Sequence, residues 1–327
     1  MADLSTRYMG LALNNPLIVA SSSLTKSVDG VVKCADAGAG ALVLKSLFEE
    51  QIAVEAEEME SNLWLYGHTE AFEYVSKMAM PLGPRDYLKL IRESKSAVSI
   101  PVIASLNCIS PRWWTDFARQ IEGAGADAIE LNIAIMPSDP DRTAQEIEAV
   151  YLDIVESLKG SINIPIAVKI GPYFTSVARM AGELCDRGVA ALVLFNRFYQ
   201  LDIDIAKHEL APGLRFSSPD EISLPLRWMA LLAGRVDCDL AASTGVHGGA
   251  GMVKQLLAGA TAIQVCSVLY EKGVDHIGTI ISEMEAWMAE NRFGKIDDFR
   301  GKLSRKATDK PELYERLQYI KTFVGIE

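Results

Sequence analysis

The sequence predicts a (β/α)8 barrel, the TIM-barrel architecture, with long βα-loop insertions and a C-terminal helical tail. Three observations point there. Eight short apolar runs recur along the 327 residues, with amphipathic stretches of helical period between them, and that alternation builds a parallel sheet. The runs are apolar throughout, as strands covered on both faces are. Most end in Lys, Asn, Ser or Thr, and a barrel opens all its strand C-termini on one face, where its chemistry sits. A doubly wound open sheet is the rival; the count of eight favours closure.

The elements follow in order. Strand one is Pro16 to Ala20, followed by Ser21 and Ser22. Strand two enters through Gly38-Ala39-Gly40 and runs Ala41 to Leu44 into Lys45-Ser46. Strand three follows Ile100-Pro101 and leads to Ser105 and Asn107; strand four follows Gly123-Ala124-Gly125, carries Glu130 within it and ends at Asn132. Strand five follows Ile164-Pro165 and runs into Lys169, and strand six follows Gly188 and ends at Asn196-Arg197. Strand seven, Asp239 to Ala242, leads to Ser243-Thr244-Gly245; strand eight follows Gly259 and ends at Cys266-Ser267. The Gly/Ala entries read as a helix end, a glycine cap and a short αβ turn. The Ile-Pro entries place proline at a strand start, where no ladder donor is needed.

Two connections are long. Phe48 to Leu82 is rich in Glu and aromatics, with Trp64, Tyr66, His68, Phe72 and Tyr74; Phe198 to Asp220 ends in Ser217-Ser218-Pro219-Asp220 before a helix. Long loops after barrel strands serve as lids or substrate loops. Near the C-terminus, Leu313, Leu317 and Ile320 form an apolar stripe at helical spacing. The expected division is a barrel over 1–303 and a helical extension over 304–327.

Composition narrows the function. A net charge of −11 without a basic stripe argues against a nucleic-acid surface. Five dispersed cysteines without a CxxC pair read as free thiols in a reducing, cytoplasmic setting, and no metal-ligand spacing is present. No run reaches the ~18 apolar residues of a membrane span, and Asn14-Asn15-Pro16 interrupts the N-terminus before any signal-peptide core could form.

The residues after the strands are donors and cations, with no carboxylate pair. A lysine that closes a buried strand is costly unless an anion meets it. Lys45 and Lys169 lie on different strands and suggest one shared anionic ligand, such as a flat polar cofactor; an internal ion pair with Glu130 is the alternative. Thr244-Gly245, the glycines Gly248, Gly249 and Gly251, and Cys266-Ser267 fall where barrels form a phosphate cup. His247 lies beside it. Cys108 reads as an inert thiol rather than a nucleophile.

These motifs, in order from about Tyr8 to Leu303, resemble the class 1 dihydroorotate dehydrogenases, which are FMN-dependent barrels. The resemblance rests on Asn15-Pro16-Leu17-Ile18-Val19-Ala20-Ser21, Lys45-Ser46, Glu130-Leu131-Asn132, Val168-Lys169 with Pro172-Tyr173-Phe174, Gln264-Val265-Cys266-Ser267, and Ile296-Asp297-Asp298-Phe299-Arg300-Gly301. It implies that FMN is held by Ala20, Ser21, Lys45, Ser46, Asn132, Lys169, Asn196, Thr244, Gly245, Cys266 and Ser267. Substrate would meet Lys45, Asn132 and Asn196, and Lys169 would stabilise the reduced flavin. It implies oxidation of dihydroorotate or a related cyclic amide by hydride transfer to flavin N5, a soluble electron acceptor, and a homodimer. The chain also departs from the family. The position of the family's cysteine base reads as Ile135, and the substrate loop reads Ser76-Lys77-Met78-Ala79-Met80-Pro81-Leu82 without the family's asparagines. Lys45, beside both flavin and substrate, is the candidate catalytic residue, and Ser138 is the candidate substitute base. A different substrate, or a flavin-binding homologue with little catalysis, are the alternatives this departure raises.

Overall fold

Period-two alternation within each apolar run sets the architecture. In the computed structural model, which describes residues 2–51, 83–110, 114–197, 201–213 and 216–314, eight parallel strands close into a barrel. They are β3 (Leu17–Val19), β4 (Ala41–Val43), β6 (Val102–Cys108), β7 (Ala128–Ile133), β8 (Ile166–Ile170), β9 (Ala191–Leu194), β12 (Asp239–Ser243) and β13 (Ala262–Val265). Each pairs with its neighbour, β13 with β3 completing the ring and β4 with β6 bridging the first insertion. All eight expected strands are present. The short β5 (Leu47–Phe48) continues along β6 beyond the end of β4.

The alternation sorts the core into two bodies. Leu42, Ile129, Val168, Leu192 and Ile263 face outward against the helices. Ala41, Ala128, Ala167, Ala191, Ala241 and Ala262 face inward with Ile18, Val43, Ile103 and Val193. Small inward side chains leave room at the base of the barrel, and an N-terminal hairpin fills it. Its strands β1 (Thr6–Tyr8) and β2 (Leu11–Leu13) deliver Tyr8, Met9 and Leu13 into the inner core. The Met9 N–H donates to Asp239 Oδ2 at 2.7 Å, fastening the plug to β12.

Helices α1 (Val28–Asp36), α2 (Pro84–Ala97), α3 (Trp114–Gly123), α4 (Ala144–Leu158), α5 (Val177–Asp186), α6 (Ser223–Leu232) and α7 (Gly249–Ala258) follow the strands. The short α8 (Ser267–Lys272) and the longer α9 (His276–Glu290) complete the last turn. The glycine caps read from the repeat are left-handed, with φ of +100° at Gly38 and +116° at Gly259; there a Cβ would add strain that glycine avoids. The Gly38 N–H donates to Ala35 O and that of Gly259 to Gln255 O, so each cap satisfies a helix-end carbonyl. Among the described residues no helix is long and apolar enough to cross a membrane.

The second insertion forms a hairpin, β10 (Leu201–Asp204) and β11 (Glu209–Pro212). It returns through a 3-10 turn, Pro219–Ile222, into α6. Nearly all of the first insertion, with Trp64, Tyr66, His68, Phe72, Tyr74 and the Ser76–Leu82 motif, lies outside the described residues. So do Leu317 and Ile320 of the expected tail helix; the described part of the tail ends in a 3-10 turn, Pro311–Tyr314. One expectation is corrected. Cys185 and Cys238 are joined by a disulfide, and only Cys34, Cys108 and Cys266 are free thiols. The end of α5 and the approach to β12 bring the two Cα atoms to 5.8 Å, a proximity that a sequence separation of 53 conceals.

Candidate active site

The inward side chains one layer above the alanines are polar: Ser105, Glu130, Lys169, Ser243 and Gln264 are all buried. The same alternation produces this layer, since Ala128, Ala167, Ala241 and Ala262 each precede a polar residue by two positions. At its centre Lys169 Nζ donates to Gln264 Oε1 at 3.0 Å. The Gln264 amide nitrogen donates in turn to Glu130 Oε2. Lys169 Nζ lies 4.0 Å from Glu130 Oε1, so Gln264 links a buried cation to a buried anion. The internal ion pair weighed against a ligand therefore exists for Lys169. It coexists with the open face, because Lys169 also lines a cleft at the C-terminal mouth.

None of the cleft's described lining residues is acidic. Of the residues singled out in the sequence, Ala20, Ser21, Lys169, Asn196, Thr244, Gly245, Cys266 and Ser267 line it. Three others adjoin it. Ser46 shares a hydrogen bond with Ser21 Oγ at 2.9 Å and another with Ser105 Oγ at 2.8 Å. Asn132 Oδ1 accepts from Asn196 Nδ2 at 2.8 Å. Lys45 lies over the Phe48 ring, Nζ 5.5 Å from its centroid. Burial, then Lys26, hold the Lys45 amine below its ordinary range. Burial pushes the Cys266 thiol up, opposed by a Ser22 hydrogen bond and by the charges of Lys169 and Lys45; both predicted lysines thus act on one group.

At the far end Thr244 and Gly245 take φ of +77° and +80°. A Cβ on Gly245 would sit 2.2 Å from the Ile222 nitrogen, so this turn is pressed onto the 3-10 turn of the second insertion. Arg197 Nε pairs with Glu221 Oε2 at 2.8 Å across the same junction.

The structure leaves Ser138 apart. It is exposed on the loop after β7 and does not line the cleft. Ile135 lines a separate cavity against α4, with Tyr151 and Phe174. Cys108 lies fully buried within β6, and burial raises its thiol far above the ordinary range. Sequence reasoning passed over Gln264 as a partner of Lys169, and Ser217 as a lining residue. The alternation on β13 could have found the first; only the fold brings the second to the mouth. Among the described residues no group of three His, Cys, Asp or Glu side chains is placed to hold a metal ion.

Comparison with known proteins bears on this geometry. The family model described as dihydroorotate dehydrogenase matches residues 83–288. The catalytic subunit of the NAD(+)-linked dihydroorotate dehydrogenase B of Thermoplasma acidophilum is 27% identical over 317 residues, covering 92% of this chain and 99% of the relative. A putative fumarate-linked dihydroorotate dehydrogenase A of Aeropyrum pernix is 25% identical, covering 91% and 97%. The chloroplastic NADP(+)-linked dihydropyrimidine dehydrogenase of Arabidopsis thaliana is 20% identical, covering 96% and 80%.

Proposed function

The chain belongs to the dihydroorotate dehydrogenase family, and on that premise we propose that it is an FMN-dependent oxidoreductase that takes electrons from dihydroorotate or a related cyclic amide. The observation that carries the cofactor reading is the buried Lys169 ammonium, held from below by Gln264 and Glu130 and open above to a cleft without acidic lining. A fixed cation beneath, hydroxyls and amides along the walls, and a left-handed Thr244-Gly245 turn at the end suit an anionic ring edge and a phosphate group. Lys169 would hold the ring edge, Ser21 and Asn196 the ring face, and Gly245, Cys266 and Ser267 the phosphate. Bound there, FMN would supply the hydride acceptor and pass the electrons on to a soluble acceptor.

The substrate side rests on Lys45, Asn132 and Asn196. Asn196 donates to Asn132, which orients both amides together. No proton acceptor stands at position 135, and a positioned base contributes about 10²–10⁴-fold. The expected behaviour is slow reduction by dihydroorotate. The exposed hairpin residues Leu201, Ile203 and Leu210 give the proposed homodimer an apolar surface to bury. The test is anaerobic. A yellow protein whose visible absorption bleaches with dihydroorotate supports the reading. A yellow protein that stays oxidised with dihydroorotate but bleaches with a dihydropyrimidine changes the substrate, and a colourless protein that does not take up FMN rejects the cofactor.

A further inference from the structure

Ser217 reaches the cleft from the second insertion, beside Ser267 and Gly245. It is buried, and its N–H donates to Ser267 Oγ at 2.9 Å. Its hydroxyl lies 3.3 Å from His247 Nε2. The other ring nitrogen of His247, Nδ1, lies 3.5 Å from Glu271 Oε2. The ring itself is held in place: its side chain is 9% exposed, and its backbone carbonyl meets His276 Nε2 at 3.1 Å. Three segments distant in sequence thus form a line from α8 through the Gly245 loop to the cleft wall.

The charged groups around His247 come from every packed element. Glu271 faces it from α8, Glu221 with its partner Arg197 from the 3-10 turn, and His276 from α9. Glu283, also on α9, accepts the Gly249 N–H two residues further on. Burial pushes the Glu221 carboxyl up, but Arg197, the Ser218 N–H and His247 together hold it below the ordinary range.

Hydrogen-bond direction gives this line a function. A neutral His247 that donates from Nδ1 to Glu271 has a lone pair on Nε2, which accepts the Ser217 proton. The Ser217 oxygen then shows only lone pairs to the cleft, and these repel an anion. The other neutral tautomer sets a lone pair against the Glu271 carboxylate. When both nitrogens are protonated, Nε2–H donates to Ser217 Oγ, and the hydroxyl proton is free to donate into the cleft. We propose that Glu271, His247 and Ser217 form a proton-coupled clamp for a phosphate monoester dianion, in which phosphate binding takes up a proton at His247 and turns Ser217 into a donor. The clamp rests on the FMN reading of the cleft and adds to it a positioning residue, His247, that acts through Ser217.

Calorimetry with flavin-stripped protein tests this. FMN and riboflavin, which lacks the phosphate, are titrated at about pH 7.5, above the second phosphate ionisation near ~6, in buffers of different ionisation heat. The wild type should take up protons on binding FMN and none on binding riboflavin. His247→Gln should abolish that uptake and weaken FMN roughly tenfold, the worth of one hydrogen bond to a charged group, with riboflavin affinity unchanged. Ser217→Ala should weaken FMN similarly, and Glu271→Gln, at a half-exposed position, should reduce the uptake without disturbing the fold. Proton uptake that persists in His247→Gln, or an equal weakening of riboflavin and FMN, overturns the clamp while the flavin reading stands. A wild type that binds neither flavin overturns the cofactor reading itself.

Discussion

Replacing Lys169 with methionine should strand a buried carboxylate. Glu130 is 1% exposed, and its Oε1 lies 4.0 Å from the lysine nitrogen. Two unit charges at that distance attract by about 4 kcal/mol at an effective dielectric of about 20. Removing one member of a buried pair costs about 3–5 kcal/mol, because the other is left uncompensated. Gln264 loses its donor as well, since its Oε1 accepts from Lys169. In a chain of this size about 2 °C of Tm corresponds to each kcal/mol, so Lys169→Met should melt roughly 6–10 °C lower. The double variant Lys169→Met/Glu130→Gln removes the stranded charge, keeps a hydrogen-bonding side chain against Gln264, and should recover most of the loss. The assay is thermal and urea unfolding of the four proteins of the cycle, all stripped of flavin so that ligand stabilisation does not enter. A cycle additive to within about 0.5 kcal/mol would refute the coupling. With flavin present, Lys169→Met should also retain less FMN; unchanged content and unchanged ease of reduction would reject its role beneath the cofactor.

The remaining expectations rest on other parts of the fold. Burial pushes the Cys34 thiol up from 9.0 to about 11. It stays neutral in the folded chain where the unfolded chain has already ionised, so its contribution is intact below about pH 9 and is lost as the pH rises toward 11; Cys34→Ala should flatten that limb of a stability–pH curve. The Cys185–Cys238 bond closes a loop of sequence separation 53, worth roughly 4 kcal/mol on chain entropy. Alkylation of the unreduced, denatured protein should label Cys34, Cys108 and Cys266 only, and reductant should lower the unfolding midpoint. Gly245→Ala forces a Cβ to within 2.2 Å of the Ile222 nitrogen at a φ of +80°; it should cost about 2 kcal/mol or more and release flavin. Gly182→Ala, where a Cβ meets nothing within 4 Å on helix α5, should instead stabilise by about 0.5–1 kcal/mol. Similar midpoints for these two glycine variants would contradict the packing described at the cleft.

What the sequence disclosed, and what it concealed, follow from the range over which each residue acts. The strands were legible because an apolar run, its glycine-capped entry and its polar exit are all local. Lys169 was legible for the same reason: a charge in phase with inward-facing alanines must meet something. Its partner was harder to see. Glu130 is visible in the sequence as a possible partner, but the connection passes through Gln264, which is ninety-five positions from the lysine and becomes its neighbour only when the barrel closes. The N-terminal plug was invisible, because Tyr8 and Leu13 gain their meaning from the small alanines of other strands. Ser217 belongs to an insertion without periodicity, and its place beside Ser267 depends on the 3-10 turn that packs against Gly245. Closure also explains why the disulfide escaped notice, since Cys185 and Cys238 are brought together by the spacing of adjacent βα units rather than by a motif. The floor of the cleft is thus fixed by a local pattern repeated eight times, whereas its two ends are built by loops. At one loop end Ile135 stands where the family's base would be and lies against α4 rather than over the cleft. The other end carries Ser217 and His247. A strand-built floor beneath loop-built ends separates holding the cofactor from choosing the reaction. Substitutions at Lys169 or Gln264 should therefore alter stability and flavin together, while Ile135→Cys, packed against α4 and outside the cleft, should leave the flavin in place.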